Sequence, residues 1–280
     1  MISSSDVLSG SGAALDMALP RLFNLDLPRL KQTGQPLPEQ NAAASFHQLL
    51  DIASGSGEWA LMAALAAPDM QIVGIESDAQ LLSQAQVQAH GVENVRFTAM
   101  NPFQGLDLSE NTFDLVNARY LVGLLPAEWW PGVLSEFVRV TQPKGVVRLT
   151  ETDLPITNSV AVEQMSSWIS KAYAATKRSF SPTGRILSMT PMLLRLLQDA
   201  GCQDVKQVAW NINFSAGMPA YAEMTEDLAR TYRLVQAFLV RVGVASLEEV
   251  ERTYEQMLDD MRSEGFSASA LSLTVWGIKP

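Results

Sequence analysis

Short apolar runs alternate with helical-period stretches through the middle of the chain. Five runs have the continuous apolar character of buried strands, namely QLLDIA (48–53), QIVGIE (71–76), NVRFTAM (94–100), TFDLVNA (112–118) and VVRLTETD (146–153). The intervening stretches over 57–67, 78–89 and 127–140 have the spacing of helices. Strands that alternate with helices of about 10–15 residues are typical of a parallel sheet covered on both faces. The pattern predicts an α/β fold with a doubly wound, mostly parallel sheet.

This alternation ends after residue 153. DVKQVAWNINF (204–214) and SASALSLTVWGIKP (267–280) add a sixth and a seventh predicted strand. Helices are predicted over 13–31, from Asn41 to Phe46, over 158–178, over 190–200, and twice within 218–264. The apolar stripes that support the later helices are Val162, Met165, Ile169, Ala172 and Thr176; Leu228, Tyr232, Val235, Leu239 and Val242; and Leu247, Val250, Tyr254, Met257, Leu258 and Met261. The sheet is therefore expected to carry helical insertions over 154–187 and 218–264.

Composition narrows the classes of function. Of 280 residues, 47% are hydrophobic, which is enough for a large core. The formal net charge of −10, without any run of Lys and Arg, argues against nucleic-acid and membrane partners. The single cysteine, Cys202, excludes an internal disulfide and a cysteine-based metal site. No window approaches the ~18 apolar residues of a membrane span, and the N-terminus lacks a signal-peptide pattern, so a cytoplasmic location is expected.

The segment LLDIASGSGEWA (49–60) joins the first strand to the first helix through a glycine turn. Gly55 and Gly57 allow the backbone to approach a ligand, and a helix N-terminus offers free N–H groups, as in dinucleotide sites. Asp51 separates two kinds of ligand. A carboxylate there would repel the phosphates of NAD, whereas it would attract an amine or sulfonium cation.

Polar residues also end the next strands. Glu76 ends the second strand, where an acid can accept the ribose hydroxyls of either kind of cofactor. Asn101 ends the third strand, where an amide can meet an adenine edge, and the fourth strand runs through Asn117 and Arg119 into a turn. Open α/β sheets bind ligands where the strand order reverses, and these strand ends are expected to meet there. Arg119 could instead pair with a surface acid, and Trp59 is expected to pack in the core or the lid.

These motifs and their order resemble class I S-adenosylmethionine-dependent methyltransferases, particularly the broad group like the ubiquinone/menaquinone-biosynthesis methyltransferases. The resemblance is strong over 46–152 and weaker through LLRLLQDAGCQDVKQVAW and LTVWGIKP. It implies a Rossmann-like sheet of seven strands, whose last strand runs antiparallel between the fifth and sixth, and S-adenosyl-L-methionine as the cofactor. The cofactor-binding positions that it implies are Asp51, Ala53, Ser54, Gly55, Gly57, Glu76, Ser77, Asn101, Pro102, Phe103, Asn117 and Arg119.

Two positions depart from the family pattern. Ala53 stands where many relatives have a third glycine, and its methyl group is expected to be tolerated if the backbone φ is negative. Pro102 has no N–H at the position whose backbone commonly meets adenine in the family. Either Phe103 supplies that donor or the hydrogen bond is missing, at a cost of ~1 kcal/mol.

The resemblance divides the chain into a lid segment (1–45), the cofactor-binding half of the domain (46–153) and the remainder of the domain with its insertions (154–280). The insertions leave the sheet at the cofactor edge, so they are expected to enclose a small, hydrophobic acceptor. The candidate lining residues are Phe23, Met165, Tyr173, Phe180, Tyr221, Tyr232 and Phe238. Alternatively, these helices pack elsewhere or form a homodimer interface.

Methyl transfer chiefly requires alignment, and a base helps when the acceptor carries a proton near neutral pH. Glu151 and Asp153, at the mouth of the fifth strand, are candidate bases, although either could be a solvated strand-end acid. Tyr120 is a candidate hydrogen-bond partner. His47 and His90 are poorly placed, and no metal site is expected.

Three functions remain open. The first is methyl transfer to a small molecule. The second is a methyltransferase fold that binds a ligand or acts like a cyclase without methyl transfer, and the third is an NAD-dependent oxidoreductase, against which Asp51 argues.

Overall fold

The computed structural model describes residues 46–280. The strands are β1 (Gln48–Ile52), β2 (Gln71–Glu76), β3 (Val95–Ala99), β4 (Phe113–Arg119), β5 (Thr141–Thr152), β6 (Ile156–Thr157), β7 (Gln203–Asn213) and β8 (Ala268–Ile278). The helices are α1 (Glu58–Ala66), α2 (Ala79–Gln88), α3 (Trp130–Val140), α4 (Val160–Ala175), α5 (Leu193–Asp199), α6 (Tyr221–Val242) and α7 (Leu247–Arg262). The helices predicted upstream, with Phe23 and Asn41, lie outside the described residues.

The strands form one sheet in the order β3-β2-β1-β4-β5-β8, with β7 paired to the far side of β8. Strands β1 to β5 are mutually parallel, and β8 is antiparallel to both β5 and β7. The α/β fold and the insertion of the last strand are thus confirmed. The chain order reverses between β1 and β4, so the carboxyl ends of these two strands border the place where such sheets bind ligands.

One strand was missing from the seven-strand prediction. The two-residue strand β6 pairs with β8 at Ile156↔Ser269, beyond the last β5 pair at Thr152↔Ser272. It therefore resumes the β5 edge after a break over residues 153–155. Pro155 lies in that break and has no N–H with which to continue the ladder.

The two faces of the sheet bury separate apolar clusters. Leu50 and Ile52 belong to the larger cluster, with the buried faces of α3, α4 and α6. Leu49 belongs to the smaller cluster, which includes Trp59 and the alanines of α1. Because side chains alternate along a strand, Asp51 points to the same face as Leu49, toward α1.

The insertions form a three-helix bundle of α4, α6 and α7. The Ser166 and Tyr232 hydroxyls join α4 to α6 at 2.7 Å, and the Ser159 hydroxyl donates to Asp260 of α7 at 2.6 Å. Most residues of the predicted stripes are buried, but Thr176, Val242 and Leu258 are half-buried and Leu247, the first residue of α7, is 55% exposed. Within residues 46–280, every helix falls short of the length or the apolar character that a membrane crossing requires.

Candidate active site

The glycine turn that follows β1 is tightly packed from behind. Gly55 and Gly57 have φ of 60° and 84°, and Gly57 is the N-cap of α1 without a side-chain cap. A Cβ atom on Gly57 would lie 2.6 Å from the ring of Phe97 on β3. The space behind the turn therefore excludes a side chain, while the uncapped N-terminus of α1 has N–H groups directed at the turn.

The backbone φ of Ala53 is not negative, which was the condition for tolerating its methyl group. Its φ is +50°, in the left-handed region, so the condition of a negative φ is not met. The left-handed conformation costs an L-residue roughly 1–2 kcal/mol because Cβ approaches the carbonyl oxygen. Ala53 is 5% exposed and part of the main core, and this packing holds the strained turn in place.

Glu76, the predicted ribose acid, is 6% exposed and accepts three backbone N–H groups. One carboxylate oxygen accepts the Gly55 N–H at 2.8 Å, and the other accepts the N–H groups of Ser77 at 2.8 Å and Asp78 at 3.0 Å. A carboxylate has about four acceptor sites, so roughly one is left for a ribose hydroxyl. Ser54 completes the link, since its N–H donates to the Ile75 carbonyl at 2.8 Å.

The turn that follows β3 is closed by a hydrogen bond between a side chain and the backbone. The side-chain oxygen of the exposed Asn101 accepts the N–H of Phe103 at 2.9 Å, across Pro102. This is the side-chain turn that Asn favours. The Phe103 N–H, which the sequence offered as a substitute adenine donor, is therefore already committed.

Three polar side chains lie side by side across β1, β4 and β5. Asp51 is the cross-strand neighbour of Asn117, and Asn117 that of Arg148. The Asn117 amide donates to Asp51 at 2.7 Å, and Arg148 donates to the Asn117 oxygen at 2.5 Å. All three are at most 1% exposed. Asn117 is thus a buried bridge between a carboxylate and a guanidinium.

Trp59 lies beside this row and contacts two cations. The guanidinium carbons of Arg119 and Arg148 are 4.9 Å and 5.5 Å from the centre of its ring system. Arg119 is 4% exposed, so its reading as a surface ion-pairing residue is wrong. The expectation that Trp59 packs in the core is confirmed, at 2% exposure.

The loop after β4 is clamped to β5. Glu151, 1% exposed, accepts the N–H groups of Leu121 at 2.7 Å and Val122 at 3.3 Å. Its reading as a solvated strand-end acid is wrong, and both carboxylate oxygens here serve the loop. Tyr120 begins this loop with φ of +53°, which is unusual for a bulky residue.

Asp153 lies just past the end of β5 and touches the segment before α5. The Thr190 hydroxyl donates to it at 2.5 Å. Burial raises the pKa of the Asp153 carboxyl, and the hydrogen bonds from Thr190 and the Ser188 backbone offset part of that rise. Burial therefore increases the affinity of the candidate base Asp153 for a proton.

Helix α4 reaches the same loop through Tyr173. A Cβ atom on Gly123 would lie 2.5 Å from the Tyr173 hydroxyl, and the Tyr173 ring is 5.8 Å from that of Phe238. Burial raises the pKa of the Tyr173 phenol above its usual range, so the phenol stays protonated. Of the predicted lining residues, Met165, Tyr173, Tyr232 and Phe238 are at most 3% exposed and pack within the bundle, whereas Phe180 and Tyr221 are half-buried.

The sequence overlooked Gly123, Arg148 and Thr190. The one sequence signal for Gly123 is that a glycine stands in the loop shortly after β4. His47 lies at the amino end of β1, where its N–H donates to Asp114 at 2.7 Å, far from the strand ends that carry the site. Among residues 46–280, no three His, Cys, Asp or Glu side chains are grouped to hold a metal ion.

Residues 49–145, from β1 to the start of β5, match the family model described as a methyltransferase domain. The curated relatives include the methyltransferase str3 of Strobilurus tenacellus, 27% identical over 107 residues, and the probable methyltransferase ltbC of Aspergillus luteorubrus, 28% identical over 112 residues. The matches cover 38% and 37% of this chain, and they span only 35% and 39% of the relatives' own lengths.

Two solved structures resemble this one along most of the chain. A protein from Bacillus halodurans C-125 is 18% identical, with a TM-score of 0.55 over 91% of this chain and 99% of that one. The YcgJ protein of Bacillus subtilis is 16% identical, with a TM-score of 0.51 over 83% and 92%. These likenesses concern the fold alone. Residues 49–145 thus match a methyltransferase domain, and the sheet has the strand order and the acid–glycine turn expected of that fold.

Proposed function

We propose that this protein transfers a methyl group from S-adenosylmethionine to a small, mainly apolar acceptor by in-line displacement. The observation that carries the proposal is the acid–glycine turn at the point where the strand order reverses, with Asp51 behind it and Glu76 beside it. A carboxylate in the first strand suits a cationic ligand and disfavours the pyrophosphate of NAD.

The residues around the turn fit this cofactor. The uncapped N-terminus of α1 can accept the carboxylate of the amino-acid part, Asp51 provides negative charge for its cationic part, and Glu76 has acceptor capacity left for the ribose. Bound S-adenosylmethionine would supply a methyl group attached to a sulfonium. Because the sulfur departs as a neutral thioether, no acid is needed there. The chain has to align the acceptor and exclude water.

The acceptor is proposed to lie between the loop after β4 and the α4–α6 side of the bundle. Tyr120 and Tyr173 lie at this boundary, each at most 2% exposed, and Met165 and Phe238 are apolar neighbours on α4 and α6. Since the Tyr173 phenol remains protonated, it would act as a hydrogen-bond donor and not as a base.

Asp153 is proposed as the proton acceptor for an acceptor hydroxyl. Its raised pKa makes the ionised carboxylate a stronger base, and Thr190 fixes one of its oxygens. Activity that depends on this base would fall as the pH is lowered through its pKa. Glu151 is proposed to hold the loop instead, because backbone N–H groups engage both of its oxygens.

Calorimetry of the purified protein with S-adenosylmethionine, S-adenosylhomocysteine and NAD tests the proposal. Binding of the first two, without binding of NAD, is expected. A mixture of phenols and terpenoid alcohols with methyl-labelled S-adenosylmethionine should then give labelled product. Binding of NAD alone would contradict the proposal.

A second function has one observation in its favour. The N–H of Phe103 is donated within the protein, and three of the about four acceptor sites of Glu76 are used by backbone N–H groups, which weakens two expected cofactor contacts. A methyltransferase fold that binds a ligand without methyl transfer would be supported if the protein bound hydrophobic compounds but not S-adenosylmethionine. A homodimer through α4, α6 and α7 stays a prediction, which light scattering would test.

A further inference from the structure

Arg148 is buried to an extent that requires an explanation. It lies in the middle of β5 with 0% exposure, and its guanidinium rests 5.5 Å from the centre of the Trp59 ring system. Burying a cation is costly unless partners compensate for the lost water. One partner is the oxygen of Asn117, at 2.5 Å.

This contact fixes the direction of the Asn117 amide. A guanidinium can only donate hydrogen bonds, so the amide oxygen must face Arg148. The amide nitrogen then faces Asp51, to which it donates at 2.7 Å. Exchanging the two ends of the amide would place a donor against a cation and an acceptor against a carboxylate. Arg148 thereby determines which atom of Asn117 meets Asp51.

The three side chains are held in register by the sheet. They are consecutive cross-strand partners in β1, β4 and β5, so they stand on one face of the sheet at the same level. Asp51 is followed after three residues by the Gly55 turn. A misdirected Asp51 carboxylate would therefore affect the ligand that binds at the turn, and not the edge of the sheet.

We propose that Arg148 is a positioning residue for cofactor binding, which acts through Asn117 to hold the Asp51 carboxylate toward the cationic amino-acid part of the cofactor. This inference rests on the proposed function, because it requires that S-adenosylmethionine bind at the turn. Arg148 does not itself touch the cofactor in this assignment. Its effect is confined to the part of the ligand that Asp51 faces.

The affinities of three ligands distinguish a positioning role of Arg148 from general damage to the binding site. S-adenosylmethionine and S-adenosylhomocysteine carry the amino-acid part, whereas 5′-methylthioadenosine has the same adenosine without it. In Arg148→Met, calorimetry should show the first two binding about tenfold weaker or more, as for loss of a charge-assisted contact, while methylthioadenosine changes less than about twofold. Arg195→Met, which removes an exposed ion pair with Asp199, should leave all three affinities unchanged.

Arg148→Lys provides a milder change in case the Met variant does not fold. Lysine keeps a cation that can donate to Asn117 but cannot lie flat on Trp59, so it should recover part of the lost affinity. The double variant Asp51→Asn with Arg148→Met (or Lys) should bind S-adenosylmethionine no more weakly than Asp51→Asn alone, because both changes remove the same contact.

The outcomes are distinct. If folded Arg148 variants weaken all three ligands equally, or weaken none, the positioning role is overturned. If the two substitutions lower affinity additively, Arg148 does not act through Asp51 and the inference is also overturned. Failure of the unaltered protein to bind either S-adenosylmethionine or S-adenosylhomocysteine would overturn the proposed function itself, and the inference with it.

Discussion

The hydroxyl group of Tyr173 occupies the space in which a side chain at Gly123 would begin. The hydroxyl oxygen is 2.5 Å from the position of a Cβ atom there, and Gly123 itself has φ of +83°. The helical insertion and the loop after β4 thus meet at a position that admits only glycine. The backbone N–H of Ala127 reinforces this contact by donating to the carbonyl of Lys177 at 2.7 Å. The bundle is fastened to the rim of the candidate site at this point.

Gly123→Ala should lower the free energy of unfolding for two reasons. The left-handed backbone costs an alanine about 1–2 kcal/mol, and displacing Tyr173 should add ~1–3 kcal/mol of overpacking. Gly105→Ala is the matched control, because Gly105 has φ of +90° and nothing within 4 Å of a built Cβ atom. Urea denaturation of both variants should show a clearly larger loss for Gly123→Ala. Equal losses would mean that Tyr173 moves aside freely.

Ala53→Gly should make the protein more stable. Glycine adopts the observed φ of +50° without the steric penalty, so a gain of about 1 kcal/mol is expected, reduced by the greater freedom of glycine in the unfolded chain. Ala66→Gly, at an exposed position at the end of α1, should instead lose roughly 0.5–1 kcal/mol. Thermal and urea unfolding measure both effects. A loss of stability in Ala53→Gly would contradict the strain assigned to this turn.

Pro102→Ala should strengthen the binding of S-adenosylmethionine. The substitution restores a backbone N–H beside Asn101, while the Phe103 N–H remains bonded to the Asn101 side chain. One added hydrogen bond of ~1 kcal/mol corresponds to about fivefold in affinity. Calorimetry with adenosine should show the same gain, since the contact concerns adenine. An unchanged affinity for both ligands would show that this backbone position does not face the base.

Asp153→Asn should stabilise the protein at pH 8 and lower methyl transfer. Burial raises the pKa of the Asp153 carboxyl above the ordinary value of 3.8, so the folded state holds this proton more tightly than the unfolded chain. The stabilisation that comes from the protonated group is complete below pH 3.8 and is lost as the pH rises through the raised value. The neutral amide avoids that loss, so the difference between variant and parent should shrink on acidification. Denaturation curves at several pH values check the sign, and a variant that keeps full activity would exclude Asp153 as the base.

The strands were predictable because continuous apolar runs such as QIVGIE are buried on both faces of a parallel sheet. Strand β6 was not predictable, because a strand of two residues shows no periodicity and this one directly follows Pro155. The conformation of Ala53 was not predictable either, because glycine and, less strongly, Asn and Asp signal a positive φ in a sequence, whereas alanine does not.

The candidate site was partly predictable for a similar reason. Asp51, Gly55 and Glu76 follow one another in short motifs, and hydrogen bonds join Gly55 to Glu76 and Asn117 to Asp51. Arg148 looks like an ordinary exposed strand residue in VVRLTE, and only the register of β4 against β5 places it beside Asn117. Thr190 and Asp153 are 37 positions apart in the chain and meet only through tertiary packing.

The position of β8 also constrains how the molecule can be made. This strand fills the gap between β5 and β7, yet it follows both of them in the chain. Until residues 268–278 leave the ribosome, β5 and β7 each present an unpaired edge that can recruit a strand from another nascent chain. We therefore expect chaperone dependence to be greatest in the interval between synthesis of β5 and synthesis of β8.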